Sequence, residues 1–200
     1  MNVELNTPQP TSARSGQFKL LAILAVVALP ILAAWIMARF EVGIPTERNN
    51  RSELVEPVIT LDDWGVILEP IGYGSPWRLA VTLTGDCDER CLTLVHEARQ
   101  INVALGREAG RVEHLMLTAR TLEPEMATRL AQEYPRLGVG TLDASGYRTS
   151  LREHPTGWSE GPQLWLIDPL GRVVLHQDPD QPGKRLLDDL KHLLKVSKVG

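Results

Sequence analysis

This chain of 200 residues has few cysteines and no excess of positive charge. Its two cysteines are too few for the multi-cysteine clusters that hold structural zinc. The formal net charge is −4, and the first forty residues carry three basic side chains against one acidic, so the remainder is more acidic still. Nucleic-acid binding needs a basic surface, so no nucleic-acid partner is predicted. A phosphate-binding loop, a serine–histidine–aspartate arrangement and internal repeats are also lacking.

One long apolar run lies near the N-terminus. Residues 20–38 contain no charged side chain, and Arg39 ends the run. These nineteen residues are about enough to cross the hydrocarbon core of a bilayer, and they exceed the usual apolar part of a signal peptide. A buried helix of a soluble protein is the alternative. The sequence therefore predicts a transmembrane anchor over residues 20–40, preceded by an N-terminal tail at residues 1–19.

A polar stretch follows the predicted anchor. Residues 41–57 include Pro45 and the pair Asn49-Asn50, which is typical of a linker between membrane and domain. The predicted domain then covers residues 58–200. Basic residues lie on both sides of the anchor, so the charge count does not settle its orientation.

The periodicity of the domain predicts alternating strands and helices. The predicted strands cover residues 77–83, 112–117, 137–142, 163–167 and 172–176, and the predicted helices cover residues 87–105, 124–134 and 184–196. Helical crossovers imply parallel pairing of the first three strands, and a Pro-Gly turn at residues 168–171 predicts an antiparallel hairpin at the edge. This order is the layout of a thioredoxin-like α/β domain with a mixed sheet.

Both cysteines lie in one short motif, Cys87-Asp-Glu-Arg-Cys91, where a predicted strand gives way to a predicted helix. Residues four apart on a helix are roughly 6 Å apart between Cα atoms, which is within the range that a disulfide closes. Two thiolates at this spacing can also share a Cu(I) ion. Incidental thiols or a purely structural disulfide are the alternatives.

Helix periodicity predicts different surroundings for the two sulfurs. Cys91 falls on the apolar face and is predicted to be buried, whereas Cys87 is predicted to lie near solvent. This asymmetry suits a nucleophilic and a resolving thiol, the predicted catalytic pair. The helix dipole and Arg90 favour a Cys87 thiolate, but three nearby carboxylates oppose it. We therefore expect a reductant or a metal site rather than a strong disulfide donor.

Three features together resemble the Sco/SenC family. They are the C-x-x-x-C motif after a strand, the segment Leu164–Arg172 (LWLIDPLGR) and the terminal helix containing Leu190–Leu194. Sco/SenC proteins are membrane-anchored, thioredoxin-fold assembly factors of cytochrome c oxidase. The resemblance implies an inner-membrane protein whose domain faces the periplasm and matures the copper A centre. It also implies copper ligation by Cys87 and Cys91, and a partner that is an oxidase subunit or another copper or thiol protein of the respiratory chain.

The histidines depart from the family pattern. The family's third copper ligand is a histidine shortly before the strand that contains Trp165, where this chain has Glu160. The nearest histidine upstream is His154, the candidate third ligand, with a solvated loop histidine as the alternative. The other histidines are predicted to be surface or structural residues, and they are His96, His114, His176 and His192.

Pro162 precedes the strand at residues 163–167. This arrangement resembles the thioredoxin segment in which a cis proline faces the cysteines and docks a substrate peptide. The resemblance implies a substrate-binding role for Pro162, and a trans proline that begins a strand is the alternative.

Three functions are therefore open for the pair. The favoured one is a thiol–disulfide exchange factor for oxidase assembly, the second is a Cu(I) chaperone that uses the same cysteines, and the third is a non-catalytic thioredoxin-like scaffold that binds a partner.

Overall fold

The N-terminal part of the chain contains one long apolar helix, α1. The computed structural model describes residues 13–40, 51–69 and 71–197. It separates the chain into two units, residues 1–48 and 49–200. Helix α1 covers Ala13–Phe40, and Gln17–Met37 is long and apolar enough to cross a membrane. The predicted anchor at residues 20–40 lies within this helix, and Pro30 does not end it.

The second unit alternates strands and helices as the periodicity predicts. Its strands are β1 (Glu53–Thr60), β2 (Trp77–Leu83), β3 (Val112–Thr118), β4 (Leu137–Thr141), β5 (Gln163–Ile167) and β6 (Arg172–Gln177). Its α-helices are α2 (Glu89–Ala104), α3 (Pro124–Glu133), α4 (Ala144–Ser150) and α5 (Lys184–Val196), with 3₁₀ turns at Gly106–Arg111 and Thr156–Ser159.

The six strands form one mixed sheet in the order β1-β6-β5-β2-β3-β4. Strands β2, β3 and β4 are parallel, whereas β5 and β6 pair with their neighbours in antiparallel fashion. All seven residues of β2 are buried, because this strand lies inside the sheet and is covered on both faces. The hairpin of β5 and β6 is confirmed, but it does not form the edge, since β1 pairs with the outer side of β6.

Apolar side chains fill a layer on each face of the sheet. Alternate residues of β2 and β5 point to opposite faces. Leu79 and Leu166 pack with α2 and α5, whereas Ala80 and Trp165 pack with Trp64 and other aromatic residues on the second face. The first layer is therefore the one that holds the helix of the C-x-x-x-C motif.

Two elements are absent from the sequence prediction, β1 and α4. The predicted linker, residues 41–57, overlaps β1, so the sheet begins before residue 58, the predicted start of the domain. Residues 41–50 of that linker lie outside the described residues. Strand β1 contains two glutamates and Pro57, and its pairing with β6 is irregular between Leu54 and Ile59. The weak alternation of β1 gives no strand signal in the sequence.

Candidate functional site

The two cysteines meet where β2 leads into α2. Cys87 lies in the connection, and Cys91 lies in the first turn of α2, with 5.2 Å between their Cα atoms and a disulfide between their sulfurs. Asp88 is the N-cap of α2, and its carboxylate accepts a hydrogen bond of 3.0 Å from the backbone N–H of Cys91. This cap satisfies a free helical N–H and fixes the first turn. Helix α2 thus begins at Glu89, two residues later than predicted, and Cys87 precedes it.

The two sulfurs differ in exposure as the helix periodicity predicts. Cys91 is fully buried in the layer beneath α2, in the same apolar cluster as Val95 and Leu164. Cys87 is half-buried and only its inner side packs against that cluster. An incoming group can therefore approach the sulfur of Cys87 and not that of Cys91.

A cleft of about 200 Å³ borders Cys87. It lies between the β2–α2 connection and the β3–α3 connection, at the carboxyl ends of two parallel strands. Ligands of open α/β sheets bind at this end of the strands. Arg120, Leu122 and Met126 line the side opposite the cysteine. None of these three residues was predicted as part of the site, because no local pattern links them to the cysteine motif.

Arginines from the next crossover face the acidic residues around Cys87. Arg120 lies 3.4 Å from the carboxylate of Asp86, and Arg129 lies 3.8 Å from that of Glu89. Both pairs are exposed and contribute little to the free energy of unfolding. They do change the charge beside Cys87, because two of the three carboxylates counted in the sequence have a guanidinium partner.

Pro162 is buried at the same end of the sheet as the cysteines. Strand β5 runs antiparallel to β2, so its first residue, Gln163, pairs with Thr82 near the end of β2. Pro162 and Arg90 line a second cleft of about 180 Å³ beside α2. The cis peptide bond within the described residues precedes Pro57, so the cis proline implied at Pro162 is absent. Pro162 therefore lies beside α2, and its substrate-binding role stays a prediction.

His154 lies on the other face of the sheet. Its ring stacks on that of Trp158 at 5.1 Å, and Trp158 belongs to the layer opposite Cys91. The side chain is buried, not a solvated loop histidine, and burial lowers its pKa below the usual 6.5. Residues 13–40, 51–69 and 71–197 contain no group of three or more His, Cys, Asp or Glu side chains able to hold a metal. The structure therefore does not bring His154 to the cysteines, and the proposed third ligand is corrected.

Another histidine, the buried His176, joins a chain of polar side chains that the sequence does not indicate. Its Nδ1 is 2.7 Å from Glu53 Oε2, and its Nε2 is 2.7 Å from Gln163 Oε1. Trp158 donates to the same Glu53 oxygen at 3.0 Å. Burial lowers the pKa of His176, while Glu53 opposes that shift. These bonds join β1, β5 and β6, and we assign them a structural role.

The chain is similar to several solved structures at low sequence identity. No curated protein matches the chain. Among solved structures, copper-bound ScoI of Bradyrhizobium japonicum is 18% identical with a TM-score of 0.42, and covers 60% of this chain and 86% of its own. Yeast Sco1 with copper bound is 16% identical with a TM-score of 0.46, and the match covers 64% of this chain and 81% of that one. A thiol:disulfide interchange protein from Bacteroides sp. is 14% identical with a TM-score of 0.44, and the match covers 76% of this chain and 95% of that one. Likenesses at this distance assign no function.

Two family models match the chain directly. The model of a transmembrane-like, thioredoxin-like, C-terminal domain matches residues 77–197, and that of a transmembrane-like N-terminal domain matches residues 9–41. The first match spans β2 to α5 and includes both cysteines, and the second includes all of α1. The predicted fold class is thereby confirmed, and the chain belongs to the transmembrane-like, thioredoxin-like family.

Proposed function

We propose that this chain is a membrane-anchored thiol–disulfide exchange protein in which Cys87 and Cys91 react. One observation carries the proposal: a half-buried sulfur beside an open cleft is bonded to a fully buried sulfur at the start of α2. A partner can reach only the first sulfur, and the second is held within bonding distance to complete the exchange. The direction that we favour is reduction of the partner, because carboxylates still line the cleft at Cys87, although arginines pair with Asp86 and Glu89.

The exchange has two steps. The Cys87 thiolate attacks a disulfide of the partner, forms a mixed disulfide and releases one partner thiolate, which takes a proton from water. Cys91 then loses its proton and attacks the Cys87 sulfur, which re-forms the Cys87–Cys91 disulfide and releases the second partner thiol. The partner gains two electrons and this protein loses two, so another dithiol must reduce the pair before the next cycle.

The partner that we propose is a protein of the respiratory chain, with a cytochrome c oxidase subunit as the specific candidate. This assignment rests on the resemblance of the C-x-x-x-C motif, the Leu164–Arg172 segment and the terminal helix to the Sco/SenC family. In that role the protein reduces cysteines that receive copper in the copper A centre. Pro162, which is buried beside α2, is the proposed docking position for the partner's segment.

We place the domain on the periplasmic side of the inner membrane. Helix α1 supplies the anchor, residues 1–19 the cytoplasmic tail, and residues from about 51 onward the folded domain. The resemblance to the Sco/SenC family supports this location, and a cysteine pair that cycles through a disulfide suits the periplasm, because disulfides persist there and are rare in the cytosol. A reporter fused after residue 200 tests the orientation, and activity of a cytosolic reporter would contradict it.

Trapping of the mixed disulfide tests the exchange itself. In the full chain, Cys91→Ser removes the resolving thiol, so we expect a covalent complex with the partner that a dithiol reductant releases. The matched variant Cys87→Ser keeps a buried thiol and is expected to trap nothing. Equal trapping by both variants, or none by Cys91→Ser, would remove the proposal.

A second candidate function is carriage of Cu(I) by the same sulfurs. The 5.2 Å between the two Cα atoms favours it, because after reduction both thiolates can reach one soft ion. Titration of the reduced protein with Cu(I) against a chelator distinguishes the candidates: binding lost in Cys87→Ser supports carriage. If the chain neither traps a partner nor binds Cu(I), the remaining function is that of a scaffold that binds a partner.

A further inference from the structure

A third sulfur borders the cleft beside Cys87. Met126 is the third residue of α3, which begins at Pro124, and it lines the same cleft as the cysteine. Its side chain is half-buried and packs against the apolar cluster that holds Cys91. The β3–α3 crossover therefore brings a thioether to the cleft at Cys87, from 35 residues further along the chain than Cys91.

We propose that reduced Cys87 and Cys91 bind Cu(I) together with the thioether of Met126, as a three-sulfur site. The inference uses the cysteine pair of the proposed function and supplies the ligand that His154 does not. Thiolate and thioether sulfurs are the soft ligands that select Cu(I). The unbranched methionine side chain has three rotatable bonds, so its sulfur can adjust toward an ion held by the cysteines.

The three sulfurs, rather than the neighbouring carboxylates, favour Cu(I) over harder ions at this position. Two thiolates and one Cu(I) carry a net charge of −1, and a neutral thioether adds none. Arg120 lines the cleft and supplies a nearby positive charge. Glu123 and Glu125 also line it, but carboxylate oxygens suit Mg²⁺, Ca²⁺ and Mn²⁺ better than Cu(I).

Binding requires the pair in its reduced form. A dithiol of another protein, or a phosphine in the test tube, supplies two electrons to the Cys87–Cys91 disulfide, and two protons from water complete the thiols. Cu(I) then displaces both thiol protons to solvent, and no electron moves when it binds.

The test compares the full chain with three variants in detergent micelles. Each protein is reduced with a phosphine under nitrogen and titrated with Cu(I) against a competing chelator, and the copper-bound forms are measured by X-ray absorption. Met126→Leu removes the thioether and keeps an apolar side chain. Leu122→Ala alters the same cleft without removing a donor, and His154→Ala alters the opposite face of the sheet.

We expect Met126→Leu to weaken Cu(I) binding by at least about tenfold, since changes outside the first shell already cost about that much. The sulfur coordination number should fall from three to two, while Leu122→Ala and His154→Ala keep the parent affinity and spectrum. An unchanged affinity and coordination number in Met126→Leu would overturn the proposal. Absence of Cu(I) binding in the parent chain would also overturn it, and would leave thiol exchange intact if Cys91→Ser still traps a partner.

Discussion

At the scale of single residues, the charge beside Cys87 depends on side chains that are distant in sequence. Local counting around the motif finds three carboxylates and one arginine. The structure adds Arg120 from the β3–α3 connection, which lies 3.4 Å from Asp86 and lines the cleft at Cys87. The negative charge around Cys87 is therefore smaller than the motif alone indicates.

This arrangement predicts that Arg120→Ala slows the reaction of Cys87 with a neutral alkylating agent. Loss of the guanidinium leaves Asp86 unpaired, which disfavours the thiolate. Exposed ion pairs contribute about 0.2–1 kcal/mol, so the rate at pH 7 should fall by a factor of about 1.4 to 5. The measurement uses iodoacetamide on the Cys91→Ser background, in which Cys87 is the one remaining thiol.

Arg107→Ala is the matched control for this change. Arg107 is an exposed arginine in the 3₁₀ turn after α2, at the end of the helix away from the cysteines. We expect it to keep the parent rate. Equal slowing by both variants would mean that net charge, rather than the pair with Asp86, controls the thiol.

At the scale of elements, β2 and α2 could be predicted and β1 could not. The predicted and observed bounds of β2 agree, because its residues are strand formers bounded by Pro76 and Gly85. Strand β1 contains two glutamates and Pro57 and lacks a regular alternation, so its conformation depends on β6 and on α5. Asp189 of α5 accepts hydrogen bonds from the backbone N–H groups of Arg51 and Ser52, immediately before β1.

We predict that Asp189→Ala lowers the free energy of unfolding by about 1–3 kcal/mol. The Asp189 carboxylate is buried and accepts backbone N–H groups at 2.7 and 2.9 Å, and unsatisfied buried donors cost about that much. Urea unfolding of the full chain in micelles, followed by tryptophan fluorescence, measures the change.

The neighbouring Asp188 provides the control. Its carboxylate pairs with the exposed side chain of Arg51, so Asp188→Ala should cost at most about 1 kcal/mol. A loss of stability as large in Asp188→Ala as in Asp189→Ala would show that the backbone bonds do not hold β1 in place.

At the scale of the whole molecule, packing on both faces of the sheet buries three histidines, and the sequence alone does not show how deeply each is buried. His114 of β3 is buried, and desolvation, followed by the charge of Arg99, lowers its pKa from 6.5 to about 4. Burial also lowers the pKa values of His154 and His176. The folded domain thus prefers these rings neutral.

Stability is therefore predicted to fall as the pH drops below 6.5. A histidine whose pKa is lowered by folding binds more protons in the unfolded chain between the two pKa values, so its contribution is complete above 6.5 and is lost through the window down to about 4. For His114 the loss between pH 7 and pH 5 is about 2 kcal/mol. Urea unfolding at both pH values measures it.

His114→Phe isolates this contribution. The His114 Nε2 is buried without a hydrogen-bond partner, so an apolar ring of similar shape forfeits no bond of that atom. We expect the variant to lose less stability than the parent between pH 7 and pH 5, whereas substitution of the exposed His192 by Gln leaves the pH dependence unchanged. An identical pH dependence in His114→Phe would refute the assignment.

The sequence by itself determined the apolar anchor, the alternation of strands and helices, and the placement of Cys87 and Cys91 at one strand–helix junction, because each depends on a local pattern of a few neighbouring residues. Only the tertiary structure decided which distant residues share the site. The parallel pairing of β2 with β3 brings Arg120 and Met126 to the cleft at Cys87. Trp158, on which His154 stacks, packs against Trp165 of β5 in the opposite layer. Such contacts follow from strand order and from the face on which a side chain lies, and neither is a property of a short segment.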